Sequence, residues 1–395
     1  MSEVAFGEAP YGVLRPPAPE EFRTALAGWF RAHRDELSGV RAARGAARAE
    51  AHEVLLDFQR RLYDTGWTRW GWSPGVGGLG GSAIHRGILY DEVWAAGLAI
   101  TEGVFAFETM AEMLVRFDPE LAARFLPAAM RGDDFWCQGF SEPEAGSDLA
   151  ALRTRATPDD EHWALSGQKV WTSNADVANR CFVLARSNAG VAPHRGLSMF
   201  LVDLAAPGVT VRPLLAMTGE PEFAEVFLDN VRVSRDRLIG QPGQGWTQTM
   251  YLLQWERSMY GWQRQAWLHS RLGDLLGEAG AADRPAELGA AFVAVSALRA
   301  RCRDSLRALS RGESPGPEIS VDKILLASAE QLVMDVAREV LGDRLHFDDD
   351  RAAVKWRRDF MYSRAASIYG GSAEIQRSII AERCLGLPRE PARAG

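Results

Sequence analysis

The hydrophobic rhythm of this chain changes twice, and few architectures accommodate that. From Pro19 onward the apolar residues keep a helical interval, with Phe22, Leu26, Trp29, Phe30 and His33 on one face behind Glu20 and Glu21. Further helical stretches run from His52 to about Asp64 and from Ser82 through Trp94, joined by a Gly- and Trp-rich connection, Gly66 to Gly81. Near Cys137 the texture shifts to short β-branched or aromatic runs: Trp163 to Leu165, Cys181 to Ala185, Met199 to Val202 and Glu225 to Leu228. Turn clusters such as Ser187-Asn188-Ala189-Gly190 and Ala206-Pro207-Gly208 separate them, the pattern of a small antiparallel sheet or barrel. After Gly240, Gly243 and Gly245 helical periodicity returns and holds to about Leu385, with its main break at Gly312 to Pro317. The expected fold is mainly α with a central β domain: an N-terminal α-helical domain (1–135), a small β-barrel domain (136–240) and a C-terminal helical bundle (241–395).

Composition removes several functional classes. In 395 residues, 47% are hydrophobic and 25% charged, the balance of an ordinary globular protein, and the net charge of -7 gives no electrostatic footprint for nucleic acid. Cys137, Cys181, Cys302 and Cys384 form no CxxC pair and the seven histidines no HxxxH spacing, so no protein-ligated metal is expected. The opening MSEVAFGEAPYG lacks the basic and apolar regions of a secretory leader. The apolar stretch Val93 to Val115 is interrupted by Glu102, Glu108 and Glu112, so it reads as a buried helix pair and not a membrane span. The expectation is a soluble, cytoplasmic protein.

Two short motifs are set aside. Gly75-Val76-Gly77-Gly78-Leu79-Gly80 matches GxGxxG, but Trp70-Gly71-Trp72-Ser73-Pro74 before it is a poor core strand, so it reads as a flexible connection. Ser320-Val321-Asp322-Lys323 matches SxxK without the SDN or KTG elements that would make Ser320 a nucleophile.

The chemistry concentrates elsewhere. Phe140-Ser141-Glu142-Pro143-Glu144-Ala145-Gly146-Ser147-Asp148 is dense in hydroxyls and carboxylates, and Gly167-Gln168-Lys169-Val170-Trp171-Thr172-Ser173-Asn174 follows it. Either alone reads as a polar turn. Together they resemble the acyl-CoA dehydrogenase family: the first its TEPxAGSD signature with Ser141 for Thr, the second its GxKxWxTN segment with Ser173 at the Thr position. Glu225-Val226-Phe227-Leu228-Asp229-Asn230-Val231-Arg232-Val233 is similar to its EVFFDDVRVP strand. Tyr369-Gly370-Gly371-Ser372-Ala373-Glu374-Ile375-Gln376-Arg377 is similar to its YxGTxxIxR segment, and Ile380-Ala381-Glu382-Arg383 follows. The resemblance implies a helical domain, a β domain and a four-helix bundle, with FAD between the last two. It implies cofactor contacts from Phe140, Ser141, Trp171, Ser173, Ser372 and Glu374, with the Trp171 indole against the flavin and the two serine hydroxyls on its polar edge. Ser147 would face the carrier arm of the substrate. The protein would be an oligomer, a homotetramer or a dimer, acting in fatty acid or lipid metabolism.

The implied reaction removes an α-proton from an acyl thioester while a β-hydride leaves for flavin N5, and it needs a carboxylate over Cα. Many family members carry that Glu directly after the Tyr of the last motif; here the position is Gly370. The isovaleryl-CoA and long-chain branches carry it on the first long helix of the bundle, before an Arg. Leu253-Gln254-Trp255-Glu256-Arg257 stands there, which makes Glu256 the expected base and Arg257 its neighbour at the substrate. The same Glu256–Arg257 pair also reads as a plain structural ion pair. With no side chain at 370, the backbone amide is expected to approach the thioester oxygen.

Two other readings stay open. One is a flavin-dependent monooxygenase on the same fold. The other is a non-catalytic partner subunit of a heteromeric complex, favoured by Gly370 and by Arg284-Pro285-Ala286-Glu287, where a clear Arg-Gln pair for the FAD pyrophosphate is lacking. The sequence does not choose between coenzyme A and an acyl carrier protein, among branched, long or sterol-like acyl groups, or between electron-transfer flavoprotein and another acceptor.

Overall fold

A computed structural model of the chain describes residues 15–389 other than 102, 314 and 315. The opening MSEVAFGEAPYG, Glu102 and part of the Gly312–Pro317 break lie outside the described residues. The chain divides into two compact units, the first ending at Trp255 and the second beginning at Glu256.

The first unit opens with helices. α1 (Pro19–Ala32) has proline at its start, Glu20 and Glu21 in its first turn, and buries Phe22, Leu26, Trp29 and Phe30. α2 (Ser38–Ala43) and α3 (Arg48–Asp64) follow, then α4 (Ala83–Ala95), α5 (Gly103–Phe117) and α6 (Pro119–Arg131). The stretch expected as a helix pair is thus the end of α4 and most of α5. At α6 the Asp118 carboxylate accepts from the Leu121 amide at 3.0 Å, and Gly132 closes the other end in a left-handed conformation.

The Gly66–Gly81 connection is not the flexible segment that its glycines suggest. Trp67, Trp70 and Trp72 are buried, and Trp72 bridges to Gly80. A Cβ at Gly78 would lie 2.1 Å from the Trp72 carbonyl oxygen, so glycine is required there by close approach of backbone to backbone. Indole packing, not a strand and a phosphate, explains the GxGxxG match.

The texture change at Cys137 is the start of a curled seven-stranded sheet. β1 (Trp136–Gly139) pairs in parallel with β4 (Arg180–Arg186), which pairs antiparallel with β5 (Leu197–Asp203). β2 (Arg155–Asp159), β3 (His162–Ser173), β7 (Phe223–Ser234) and β6 (Val209–Leu214) continue antiparallel in that spatial order. One face packs Cys137, Leu165, Cys181, Val183, Phe200, Val226 and Val231 into a sheet core. Residues of the other face, including Trp136, Phe182, Leu184 and Met199, share a core with Phe107, Met110 and Leu114 of α5 and with Leu252 of α7 (Gly245–Trp255).

The second unit begins with a π-turn over Glu256–Tyr260, followed by α8 (Gly261–Leu276), α9 (Pro285–Ser310), α10 (Ile319–Leu341), α11 (Asp343–Phe347), α12 (Arg351–Ser363) and α13 (Ala373–Ile379). α8, α9 and α10 bury Leu268, Leu272, Val295, Leu298, Leu326, Val333 and Met334 among themselves. Among the described residues no helix is long and apolar enough to cross a membrane, and no cluster of His, Cys, Asp and Glu stands ready for a metal ion.

One buried ion pair fastens the Phe140–Asp148 loop to the sheet. Lys169, fully buried on β3, donates to the Glu142 carboxylate at 2.8 Å and to the Phe140 carbonyl at 3.1 Å. The other lone pairs of Glu142 accept from the amides of Arg153 (2.6 Å) and Thr154 (2.9 Å). Burial pushes the Glu142 carboxyl up, but the Lys169 charge and these donors outweigh it and hold it below the usual carboxylate range. Burial lowers the Lys169 ammonium to about 8 against the pull of Glu142, so both groups are charged at neutral pH. Lys169→Met leaves a buried carboxylate without its cation and is expected to cost about 3 kcal/mol or more, read from the urea midpoint of unfolding.

Candidate active site

The residues singled out from sequence fall into two sets, one in each unit. In the first, the register between β3 and β7 slips between Lys169 and Thr172, and the bulge carries Trp171 at φ 59°. Its indole is 62% exposed, which is unusual for tryptophan, and its edge rests on the Phe223 ring with centroids 5.9 Å apart. Beside it, the Val170 amide donates to the Ser141 carbonyl at 3.0 Å, which ties the first motif to the second. Ser141 is half-buried, and Ser173 and Ser147 are exposed. The Phe140 ring is buried in the core, and its carbonyl accepts from the buried Lys169. An indole held out on a bulge between hydroxyl-bearing residues is a platform for a flat, polar-edged ring.

The second set gathers around Gly370. Glu256 is buried in the π-turn, an irregularity that recurs at functional sites. Gly370 stands at φ 63°, and a Cβ built on it would lie 2.8 Å from Glu256 Oε1 and 3.2 Å from Lys323 Cε. The carboxylate therefore borders the very space that a side chain at 370 would fill. Gln376 Nε2 donates to the carbonyls of Gly370 (3.5 Å) and Gly371 (3.4 Å), fixing the glycine pair, and the Gly370 amide donates no hydrogen bond among the described residues. Arg257 is close by, its Nη2 3.5 Å from a Cβ built on Gly371. Burial lowers the Arg257 guanidinium below its ordinary value, and the Glu256 charge opposes that shift. Ser372 caps α13, its Oγ accepting from the Ile375 amide at 3.4 Å; Glu374 is exposed, 3.8 Å from Arg377.

Sequence reasoning missed Lys323 as part of this cluster. The SxxK match drew attention to the residue for another chemistry, but its proximity to Gly370 depends on how α10 packs, which no local pattern encodes.

The fold is that of an acyl-CoA dehydrogenase, and the comparisons agree. The acyl-CoA dehydrogenase middle-domain model matches residues 137–231 and the C-terminal-domain model matches residues 243–385. The chain belongs to the acyl-CoA dehydrogenase family. It is 39% identical to acyl-CoA dehydrogenase IpdE1 of Mycobacterium tuberculosis, over 94% of this chain and 98% of that one. Among solved structures, the ChsE4-ChsE5 complex from Mycobacterium tuberculosis superposes with a TM-score of 0.72 at 26% identity, covering 95% of this chain and 99% of the other. Glutaryl-coenzyme A dehydrogenase with glutaryl-CoA gives a TM-score of 0.76 at 20% identity, covering 95% and 98%, a likeness of fold.

Gly370→Ala would strain a positive φ and press a methyl toward the Glu256 carboxylate. The expected outcome is a loss of about 1 kcal/mol in thermal unfolding, together with a dehydrogenase activity reduced at least about tenfold.

Proposed function

We propose that this enzyme is an FAD-dependent acyl-CoA or acyl-carrier thioester dehydrogenase with Glu256 as its catalytic base. The observation that carries the reading is the buried Glu256 carboxylate bordering the side-chain-free space at Gly370. Glu256 accepts the pro-α proton, becoming neutral, while the electron pair left on Cα forms the new double bond as the β-hydrogen departs with its own pair. FAD, when bound, supplies the acceptor for that hydride.

This chain's residues do the rest. The Gly370 amide donates to the thioester oxygen and stabilises the enolate-like charge that makes the α-proton removable. Burial of Glu256 removes competing water hydrogen bonds from the carboxylate. Trp171 would hold the flavin against its indole and keep water off it, and Ser141 and Ser173 would hydrogen-bond its polar edge. Phe140 would contribute backbone, Ser372 and Glu374 would contact the cofactor, Ser147 would receive the carrier arm, and Arg257 flanks the base. The protruding indole of Trp171 supports the fit to FAD, since its contact with Phe223 leaves most of an apolar ring open to a flat partner. Electrons leave the enzyme for electron-transfer flavoprotein or a similar acceptor.

A second reading concerns assembly. The ChsE4-ChsE5 neighbour is a complex of two different chains, and Arg284, which caps α9, is exposed without an adjacent Gln. These observations favour an oligomer in which a second, different chain completes the cofactor site over one built from identical chains.

Purified protein is expected to be yellow, and an acyl-CoA of matching chain is expected to bleach its flavin band anaerobically. Glu256→Gln should slow that bleaching by about 10²–10⁴-fold while leaving the oxidised spectrum intact. Undiminished bleaching in that variant sinks the base assignment. Oxygen consumption with a hydroxylated product moves the enzyme to the monooxygenases, and a protein that takes up FAD only with a second chain identifies the heteromer.

A further inference from the structure

The second unit buries more charge around Glu256 than an acid base needs. Lys323, on α10 and only 5% exposed, donates from Nζ to the Ala366 carbonyl, and Nζ lies 4.2 Å from the centroid of the Tyr369 ring. Both partners belong to the segment that delivers Gly370, so the lysine fastens that segment from below at two points. Its Cε lies 3.2 Å and Glu256 Oε1 2.8 Å from the position of a Cβ on Gly370, so the stem of the cation and the carboxylate border the same small space.

The other charged and titratable groups around this space are accounted for. Glu330, about two turns further along the same face of α10, is fully buried and held in two hydrogen bonds by Arg264 of α8, at 2.7 and 3.0 Å, so its charge is already met. Arg257 and Tyr260 share the π-turn with Glu256, and the Tyr260 hydroxyl lies 3.4 Å from that of Tyr369. Burial pushes both tyrosines up, which keeps them neutral. Among these groups the carboxylate placed to balance Lys323 is therefore Glu256.

We propose that Lys323 is the positioning residue of the base: its ammonium, tied to the Ala366 carbonyl and laid on the Tyr369 ring, holds the Gly370 backbone in place and keeps Glu256 in the carboxylate form that can accept a proton. The inference rests on Glu256 being the base. Burial lowers the Lys323 ammonium to about 8, with Glu256 and then Glu330 holding it up and Arg257 and Arg264 adding to the lowering. The lysine is thus charged at neutral pH, and its field favours the ionised carboxylate.

The sign of the pH effect follows. Unfolded lysine keeps its proton to about 10.4, whereas folded Lys323 releases it near 8. Between those values the unfolded chain binds more protons, so stability contributed by this site rises with pH across that window and is flat below it.

The test compares the acid limb of kcat/KM in the holoenzyme with Lys323→Gln, which keeps a donor for Ala366 without the charge, and with Lys323→Arg, which keeps the charge. Lys323→Gln is expected to move the acid limb up by about one pH unit, and Lys323→Arg to leave it in place. A Lys323→Gln enzyme with reduced turnover but an unmoved limb, or an equal displacement in both variants, overturns the proposal. Glu256→Gln separates the two questions: if it keeps the wild-type limb, the base assignment fails; if it is inactive and the limb of Lys323→Gln stays put, only the role of Lys323 fails. A readout without turnover covers variants that do not fold: in Glu256→Gln the pH at which the melting temperature begins to rise should fall below that of the wild type, and an unchanged onset also overturns the coupling.

Discussion

A carboxylate taken out of water has to be met by positive charge or by several hydrogen-bond donors, and this chain meets that demand at both of its chemically important positions. Glu142 is paired to Lys169 and to two backbone amides, which fixes the loop carrying Ser141 onto the strand carrying Trp171. Glu256 and Lys323 border the same small space, and the same lysine grips the segment carrying Gly370. In both cases the charge pair does more than neutralise. It joins two stretches distant in sequence. Since breaking such a pair strands a charge in a dry interior, the geometry around it is held more firmly than apolar packing alone would hold it.

The two tethers serve opposite kinds of precision. At Trp171 the outcome is exposure: the bulge in β3 turns an indole outward against its ordinary preference, and Lys169 two residues earlier anchors the strand that makes the turn. At Gly370 the outcome is emptiness, since the positive φ and the missing Cβ leave room beside a carboxylate, and Gln376 holds the neighbouring carbonyls so that the amide alone is presented.

Much of this was legible in the sequence, for identifiable reasons. The double change of periodicity marks the helical, sheet and helical portions because side-chain spacing follows local backbone geometry. The segments at Ser141, Trp171 and Gly370 are readable because they are contiguous and their residue types are unusual in combination. Lys323 was not readable as a partner of Glu256, because the two are 67 positions apart and only the packing of α10 against the π-turn brings them together. The Gly66–Gly81 connection failed the other way. Its glycines signal freedom, but the buried indoles of Trp67, Trp70 and Trp72 hold it in one conformation.

The geometry also makes the location of the acid a single choice and not two independent ones. A Cβ at 370 would meet Glu256 Oε1 at 2.8 Å, so a glutamate there would begin its side chain in contact with the existing carboxylate. Two carboxylates sharing so small a space cannot both ionise, and one would hold a proton at neutral pH and cease to be a base. The left-handed backbone at 370 adds a further cost for any residue with a side chain. Glu256 and Gly370 are therefore linked sterically: the carboxylate in the π-turn borders the space that a side chain at 370 would fill. Gain of a second carboxylate would not reinforce the site but divide one proton between two groups.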